Sequence, residues 1–86
     1  MRIPKRLIYK DRVIKVKTSH DKKWCSKYWG EIEGNVIRLA IGISRKDREK
    51  TFLHELIHLC AWNLNEKQVK KLEDNLYEIL AKNKII

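Results

Sequence analysis

The stretch TFLHELIHLCAW, residues 51–62, contains two of the chain's three histidines and places one acid between them. It carries the pattern HExxH as His54, Glu55 and His58. On an α-helix, residues four apart lie one turn above each other, so both imidazoles face the same way. This spacing suits one small cation such as Zn²⁺, which binds neutral imidazole nitrogens at about 2.0–2.1 Å. Glu55 projects about 100° further round the helix, where it can act as a general base without being a ligand.

The residues around the motif are apolar on nearly every side of the predicted helix, as in a helix buried in a core. They are Phe52, Leu53, Leu56, Ile57, Leu59, Cys60, Ala61 and Trp62. Burying two imidazoles and a carboxylate without partners would cost several kcal/mol, and a metal ion supplies such a partner. The alternative interpretation is two core histidines bonded to the backbone, with Glu55 at the surface. The pattern and its surroundings favour the metal site.

The length of the chain, 86 residues, predicts one domain near the size at which a single core is marginal without a metal or a partner. We expect a basic, strand-rich part over 1–43 and a helical part with the metal site over 44–86. No apolar run is long enough for a transmembrane helix or a signal peptide, so we expect a cytoplasmic protein. Cys25 and Cys60 are too few for a disulfide framework and are expected to be reduced.

The formal net charge is +9, and most of it is N-terminal. Residues 1–27 carry ten Lys or Arg against two acids, whereas the remaining residues carry ten against nine. The candidate basic patch consists of Lys15, Lys17, Lys22 and Lys23. Such a field attracts nucleic acid, an acidic protein partner or an acidic substrate. A solvated, lysine-rich sheet face would give the same composition.

The N-terminal half predicts strands. Residues 7–9 form a short apolar run, and residues 12–18 alternate β-branched and basic side chains, which predicts one packed and one solvated face. Residues 19–27 have no clear period and predict a loop, where a histidine beside an acid is more typical of a solvated residue than of a ligand. Gly34 and Asn35 suit a two-residue turn between two further strands.

Two helices are predicted to follow. Ser44 opens a capping-box-like pattern and a helix over about 45–62, and Asn65 with Gln68 opens a second helix from 66 to about 82. Apolar residues at helical spacing predict that one face of the second helix packs on the first; they are Val69, Leu72, Leu76, Ile79 and Leu80. The expected fold class is α+β, a small antiparallel β-sheet followed by two packed helices, of which the first carries the motif.

A catalytic zinc site of this kind needs a third protein ligand, usually His or a carboxylate. No histidine follows His58, so an acid of the second helix is the candidate. Glu66 and Glu73 lie seven residues apart, roughly on one stripe. In a tight antiparallel hairpin the level between the two histidines faces about residue 71, which favours Glu73. A crossing angle of about 50° would move that point.

From Trp29 onward the chain resembles small phage and mobile-element proteins related to the ImmA/IrrE metallopeptidases, which are gluzincin-like. The segments that carry the resemblance are GEIEGNVIRL, GISRKDREKTF, HELIH and LNEKQVKKLEDNLYEILAKN. The resemblance implies a minimal zincin-like fold, one zinc ion and a glutamate ligand that opens the next helix, here Glu66. It also implies cleavage of a regulatory protein, such as a repressor of a mobile element. The link from His58 to Glu66 looks about one turn shorter than usual, so Glu73 stays a candidate.

The sequence therefore predicts a zinc-dependent peptidase acting on a protein or peptide. His54, His58 and one glutamate would hold Zn²⁺, and Glu55 would take a proton from the attacking water. Tyr28 and Tyr77 are candidates for stabilising the oxyanion. An edge strand beside the metal helix could bind an extended substrate. The alternative is a non-catalytic or vestigial metallopeptidase fold that binds nucleic acid or protein through the basic sheet.

Overall fold

The computed structural model of the protein describes all 86 residues. The elements are β1 (Arg6–Tyr9), β2 (Arg12–Ser19), α1 (Lys22–Cys25), β3 (Gly30–Glu33), β4 (Val36–Ala40), α2 (Arg45–Cys60) and α3 (Glu66–Lys82). The predicted α+β class is confirmed, with four strands before two packed helices. None of the helices combines the length and the apolar character needed to cross a bilayer.

The local signals in the sequence form the turns and caps expected of them. Lys10 and Gly34 have φ angles of 53° and 58°, in the left-handed region that tight turns use. The Ser44 side chain accepts a hydrogen bond from the first turn of α2. Asn65 and Gln68 form a reciprocal capping box at the start of α3. The helix boundaries therefore lie close to those predicted from the sequence.

The sheet is mixed, so the expectation that every strand pair is antiparallel is wrong for the central pair. The strand order is β1-β2-β4-β3, and β2 runs parallel to β4, with Lys15 beside Val36. The outer pairs, β1–β2 and β3–β4, are antiparallel. The segment predicted as a loop contains the short helix α1. Residues 20–29 connect the end of β2 to the start of β3 on the far side of the sheet. The hairpin then returns and inserts β4 between β2 and β3.

The core lies between the inner face of the sheet and α2. Ile14, Ile37, Leu39 and Phe52 are its buried centre. The alternation predicted for β2 is confirmed, because Ile14 is buried whereas the neighbouring Val13 is half exposed. Since α2 is covered by the sheet on one side and by α3 on the other, it needs apolar residues almost all round.

α3 meets α2 through a different face from the one predicted. Val69 is buried as expected, but Leu72, Leu76 and Ile79 are between 40% and 56% exposed. Glu73 is instead 4% exposed. Its carboxylate forms ion pairs with basic groups of both helices, and these contacts turn the face that carries Glu73 towards α2.

The first strand of the second hairpin makes a close approach to α2 at Gly30. A Cβ atom at this position would lie 2.4 Å from Cγ2 of Thr51 and 3.2 Å from the carbonyl oxygen of Arg38. The first distance is far below van der Waals contact, so only glycine lets β3 lie this close to the helix.

We predict that Gly30→Ala lowers the free energy of unfolding by about 1–3 kcal/mol, because overpacking forces the backbones apart. Urea denaturation measures the change. In a Thr51→Ser background, which lacks Cγ2, the same substitution should cost clearly less. An equal cost in both backgrounds would show that the contact with Thr51 is not the cause.

Candidate metal centre and groove

Two histidines of α2 and the first residue of α3 form one donor cluster. The Nε2 atoms of His54 and His58 lie 3.1 Å apart. Glu66 Oε1 lies 2.6 Å from Nε2 of His58, and Glu66 Oε2 lies 3.1 Å from Nε2 of His54. One ligand atom from each residue lies within 4.8 Å of the others, so this cluster could hold a metal ion.

The chemistry and spacing of the donors fit zinc. Two imidazole nitrogens and a carboxylate are a common protein set for a catalytic zinc ion, and ligand atoms of a tetrahedral zinc site lie about 3.3 Å apart. The donor contacts here, at 2.6 and 3.1 Å, would need to open by about 0.7 and 0.2 Å to reach this spacing. The Glu66 side chain is 75% exposed, so the cluster is open to solvent on that side.

Glu73, the other candidate ligand, lies behind one of the histidines. Its Oε1 is 2.8 Å from Nδ1 of His54, the ring nitrogen that does not face the cluster. With the proton on Nδ1, His54 donates to this carboxylate and directs the lone pair of Nε2 towards the cluster. Lys70 Nζ donates to the second oxygen of Glu73 at 2.8 Å and balances its charge. Glu73 therefore lies behind the donor cluster, where it can orient the His54 ring.

The register of the two helices explains the places of both glutamates. An ion pair of 2.7 Å between Lys50 and Asp74 fixes the helices side by side, as does the contact of His58 with Glu66. This register puts Gln68, and not residue 71, at the level midway between the two histidines. Glu66 and Glu73 lie about one turn to either side of the level of His54, so each can reach its imidazole from opposite ends.

Glu55 is the acid beside the donor cluster. It is 4% exposed, yet its side chain lines the groove next to both histidines. Burial raises the pKa of the Glu55 carboxyl, and the positive charge that His54 and His58 can carry opposes this effect. A carboxylate whose pKa is raised is a stronger general base than one with an ordinary pKa.

The groove consists of two cavities that meet at this acid. Their volumes are about 310 and 540 Å³. Both are lined by Tyr28, Gly30, His54 and Glu55. The two cavities therefore adjoin each other beside the donor cluster, and β3 of the sheet forms one wall through Gly30.

That wall is the free edge of β3. This strand is the last in the sheet. The carbonyl of Trp29, the residue just before it, accepts a hydrogen bond from the amide of Ala40 at 2.8 Å. In an antiparallel pair the bonded positions alternate, so the backbone groups of Gly30 and Ile32 point away from β4. Both residues line the larger cavity. Unpaired amide and carbonyl groups therefore face the groove beside the histidines.

The structure brings together most of the residues singled out from the sequence. His54, Glu55, His58 and Glu66 lie at one site, with Glu73 behind it. The two tyrosines differ, because Tyr28 lines both cavities whereas the hydroxyl of Tyr77 donates to Glu49, away from the groove. His20, which lies in the segment predicted as a loop, is exposed and takes no part in the donor cluster.

Two residues of the site were missed by the sequence analysis. Lys70, which neutralises Glu73, lies one turn before it on α3, and this spacing is the only signal in the sequence that could have found it. Trp62, which lines the larger cavity, follows His58 by four residues, the same interval that separates the two histidines. It was treated as core because it continues the apolar run.

The candidate basic patch is separate from the groove. Lys15 and Lys17 lie on the outer, solvated face of the sheet, next to Arg6 and Arg38 on the neighbouring strands. Lys22 and Lys23 are exposed on α1. α1 lies on the same side of the sheet, because the Trp24 ring is stacked 5.6 Å from the guanidinium of Arg38.

Comparison of the chain with protein-family models, with curated proteins and with solved structures found no match. A functional interpretation therefore depends on the donor cluster, the buried acid and the free strand edge.

We predict that Glu66→Ala and Glu73→Gln both weaken zinc binding, to different degrees. Glu66→Ala removes a donor and should have the larger effect, whereas Glu73→Gln should raise the Kd by about 10- to 100-fold because it frees the His54 ring. Competition with a chromophoric chelator measures both. Glu78→Gln, on the exposed side of α3, should leave the Kd unchanged. A larger loss from Glu73→Gln than from Glu66→Ala would exchange the two roles.

Proposed function

We propose that the protein is a zinc-dependent peptidase. His54, His58 and Glu66 would hold the ion, and Glu55 would be the general base. The single observation that carries this proposal is the free edge of β3 lying beside the donor cluster. An extended peptide is the ligand that such an edge recognises, since its backbone supplies the missing partners.

The substrate backbone would bind to the amide and carbonyl groups of Gly30 and Ile32. Antiparallel pairing at these positions holds a peptide bond in extended form against the groove, which contains Glu55 and both histidines. Zinc bound at the cluster would supply a Lewis acid that polarises the scissile carbonyl and lowers the pKa of a water molecule.

The side chains of the protein would carry the proton. Glu55 accepts a proton from the attacking water as the new C–O bond forms, and it then gives that proton to the amine as the C–N bond breaks. Tyr28, which lines both cavities, is the better placed of the two tyrosines to donate to the oxyanion. Glu73 keeps the His54 ring in its orientation throughout.

The resemblance to the ImmA/IrrE metallopeptidases belongs to this proposal, as does its implication that the substrate is a regulatory protein of a phage or mobile element. The mixed sheet followed by a helix with His54 and His58, and by a helix opened by Glu66, is compatible with it. A cytoplasmic location is also part of the proposal. Both cysteines are free thiols, as a reducing compartment requires.

We predict that Glu55→Gln keeps zinc but lowers the rate of peptide hydrolysis by at least about 10²-fold, because the amide cannot accept the proton. A mixture of fluorogenic peptides is the substrate, and the bound zinc is measured on the same preparation. Glu78→Gln is the matched control and should behave as the parent. Hydrolysis by Glu55→Gln at the parent rate would remove this residue from the mechanism.

A second candidate function is nucleic-acid binding through the outer face of the sheet. Pairing across the strands places Arg6 beside Lys15 and Lys17 beside Arg38, and these side chains share one solvated face. This arrangement gathers positive charge on a surface away from the groove, which favours contact with phosphates. The two functions would use different surfaces and do not exclude each other.

If this second function is present, duplex DNA or RNA should bind with an affinity that falls steeply with salt, because bound phosphates release counterions. Fluorescence anisotropy at several salt concentrations measures the slope. Neutralising Lys15, Lys17, Lys22 and Lys23 to Gln should abolish binding, with or without zinc. The matched control neutralises four exposed lysines elsewhere: Lys46, Lys67, Lys71 and Lys84. Equal losses from both sets would indicate an effect of net charge alone.

A further inference from the structure

The exposed aromatic side chains of this protein are concentrated at one place. Only three aromatic residues are at least half exposed: Tyr28 at 51%, Trp29 at 53% and Trp62 at 83%. All three line the groove that passes the donor cluster. The other aromatic residues are buried or partly buried. An indole ring can bury about 150–250 Å², so leaving one in water forgoes a large stabilisation that a ligand could recover.

The two tryptophans belong to different ends of the groove. Trp29 lines only the smaller cavity and Trp62 only the larger one. The two cavities have Glu55 and His54 in common. The reacting centre therefore lies between the two indoles, with one on either side.

A peptide paired with the edge of β3 would present its side chains to both ends. An extended strand rises by about 3.3 Å per residue, so the residues before and after the scissile bond lie at different levels of the groove. At the larger end, Ile32 adds an apolar wall next to Trp62, and this end favours a large apolar side chain. The smaller end is mainly charged, because Lys27, Lys50 and Lys70 line it together with Trp29.

We infer that Trp62 determines substrate specificity, and that the groove selects extended segments with a bulky apolar residue on the side of the cleaved bond that enters the larger cavity. This inference rests on the proposed peptidase function. Such a segment is normally buried in a folded protein. The substrate must therefore offer it on an unfolded or flexible stretch.

The test uses two fluorogenic peptides that differ only at the two central positions, Phe–Phe in one and Ala–Ala in the other. The zinc-loaded protein should cleave the Phe peptide with a kcat/KM higher by at least about tenfold, the range that apolar pockets provide. Trp62→Ala should remove most of this preference, because kcat/KM should fall more for the Phe peptide than for the Ala peptide, and Trp62→Phe should retain it. Ile8→Ala, which alters an exposed apolar residue of β1, is the control and should change neither rate.

The outcomes separate this inference from the function on which it rests. Cleavage of both peptides with a ratio that Trp62→Ala leaves unchanged would overturn the inference and leave the peptidase standing. If neither peptide is cleaved, indole fluorescence on titration of the zinc-loaded protein with the Phe peptide decides. Binding that Trp62→Ala weakens would support the apolar selection without catalysis, and the absence of such binding would overturn it.

Discussion

The contact between α2 and α3 depends on a buried carboxylate. A charge in this position is tolerated only if it is fully paired, and Glu73 is paired with Lys70, Lys50 and His54. Pairing this carboxylate orients α3 so that the apolar side chains of Leu72, Leu76 and Ile79 stay partly exposed to solvent. The helix pair thus gives up some apolar burial. The same rotation gives the donor cluster its geometry.

The two glutamates that were alternative candidates in the sequence contact different nitrogens of the histidines. Glu66 joins the Nε2 atoms of both histidines, and Glu73 holds the opposite nitrogen of His54. A ligand without such support would turn freely about its side-chain bonds, and supporting carboxylates are typical of metal-binding histidines. The site therefore combines an exposed acid with a buried one, each suited to its part by its burial.

Local signals in the sequence were sufficient for the two long helices, α2 and α3, and for the central residues of the candidate site. Caps and the four-residue spacing of His54 and His58 act within a turn or two, so they can be recognised without knowledge of the fold. The parallel pairing of β2 with β4 could not be predicted, because it joins segments that are adjacent only after the second hairpin has folded back. The choice between Glu66 and Glu73 stayed open for a similar reason. Moving the centre of the helical hairpin by one residue rotates α3 by about 100° relative to α2. A different side chain of α3 then faces the histidines.

The donor cluster is confined to residues 54–66, within one helical hairpin, whereas the strand edge that faces it comes from earlier in the chain. Contacts between near neighbours in sequence form quickly during folding, and strand pairings that close long loops form later. A metal ion could therefore be captured by the nascent hairpin before the wall of the groove exists. Metal binding would then precede completion of the groove as each new chain folds.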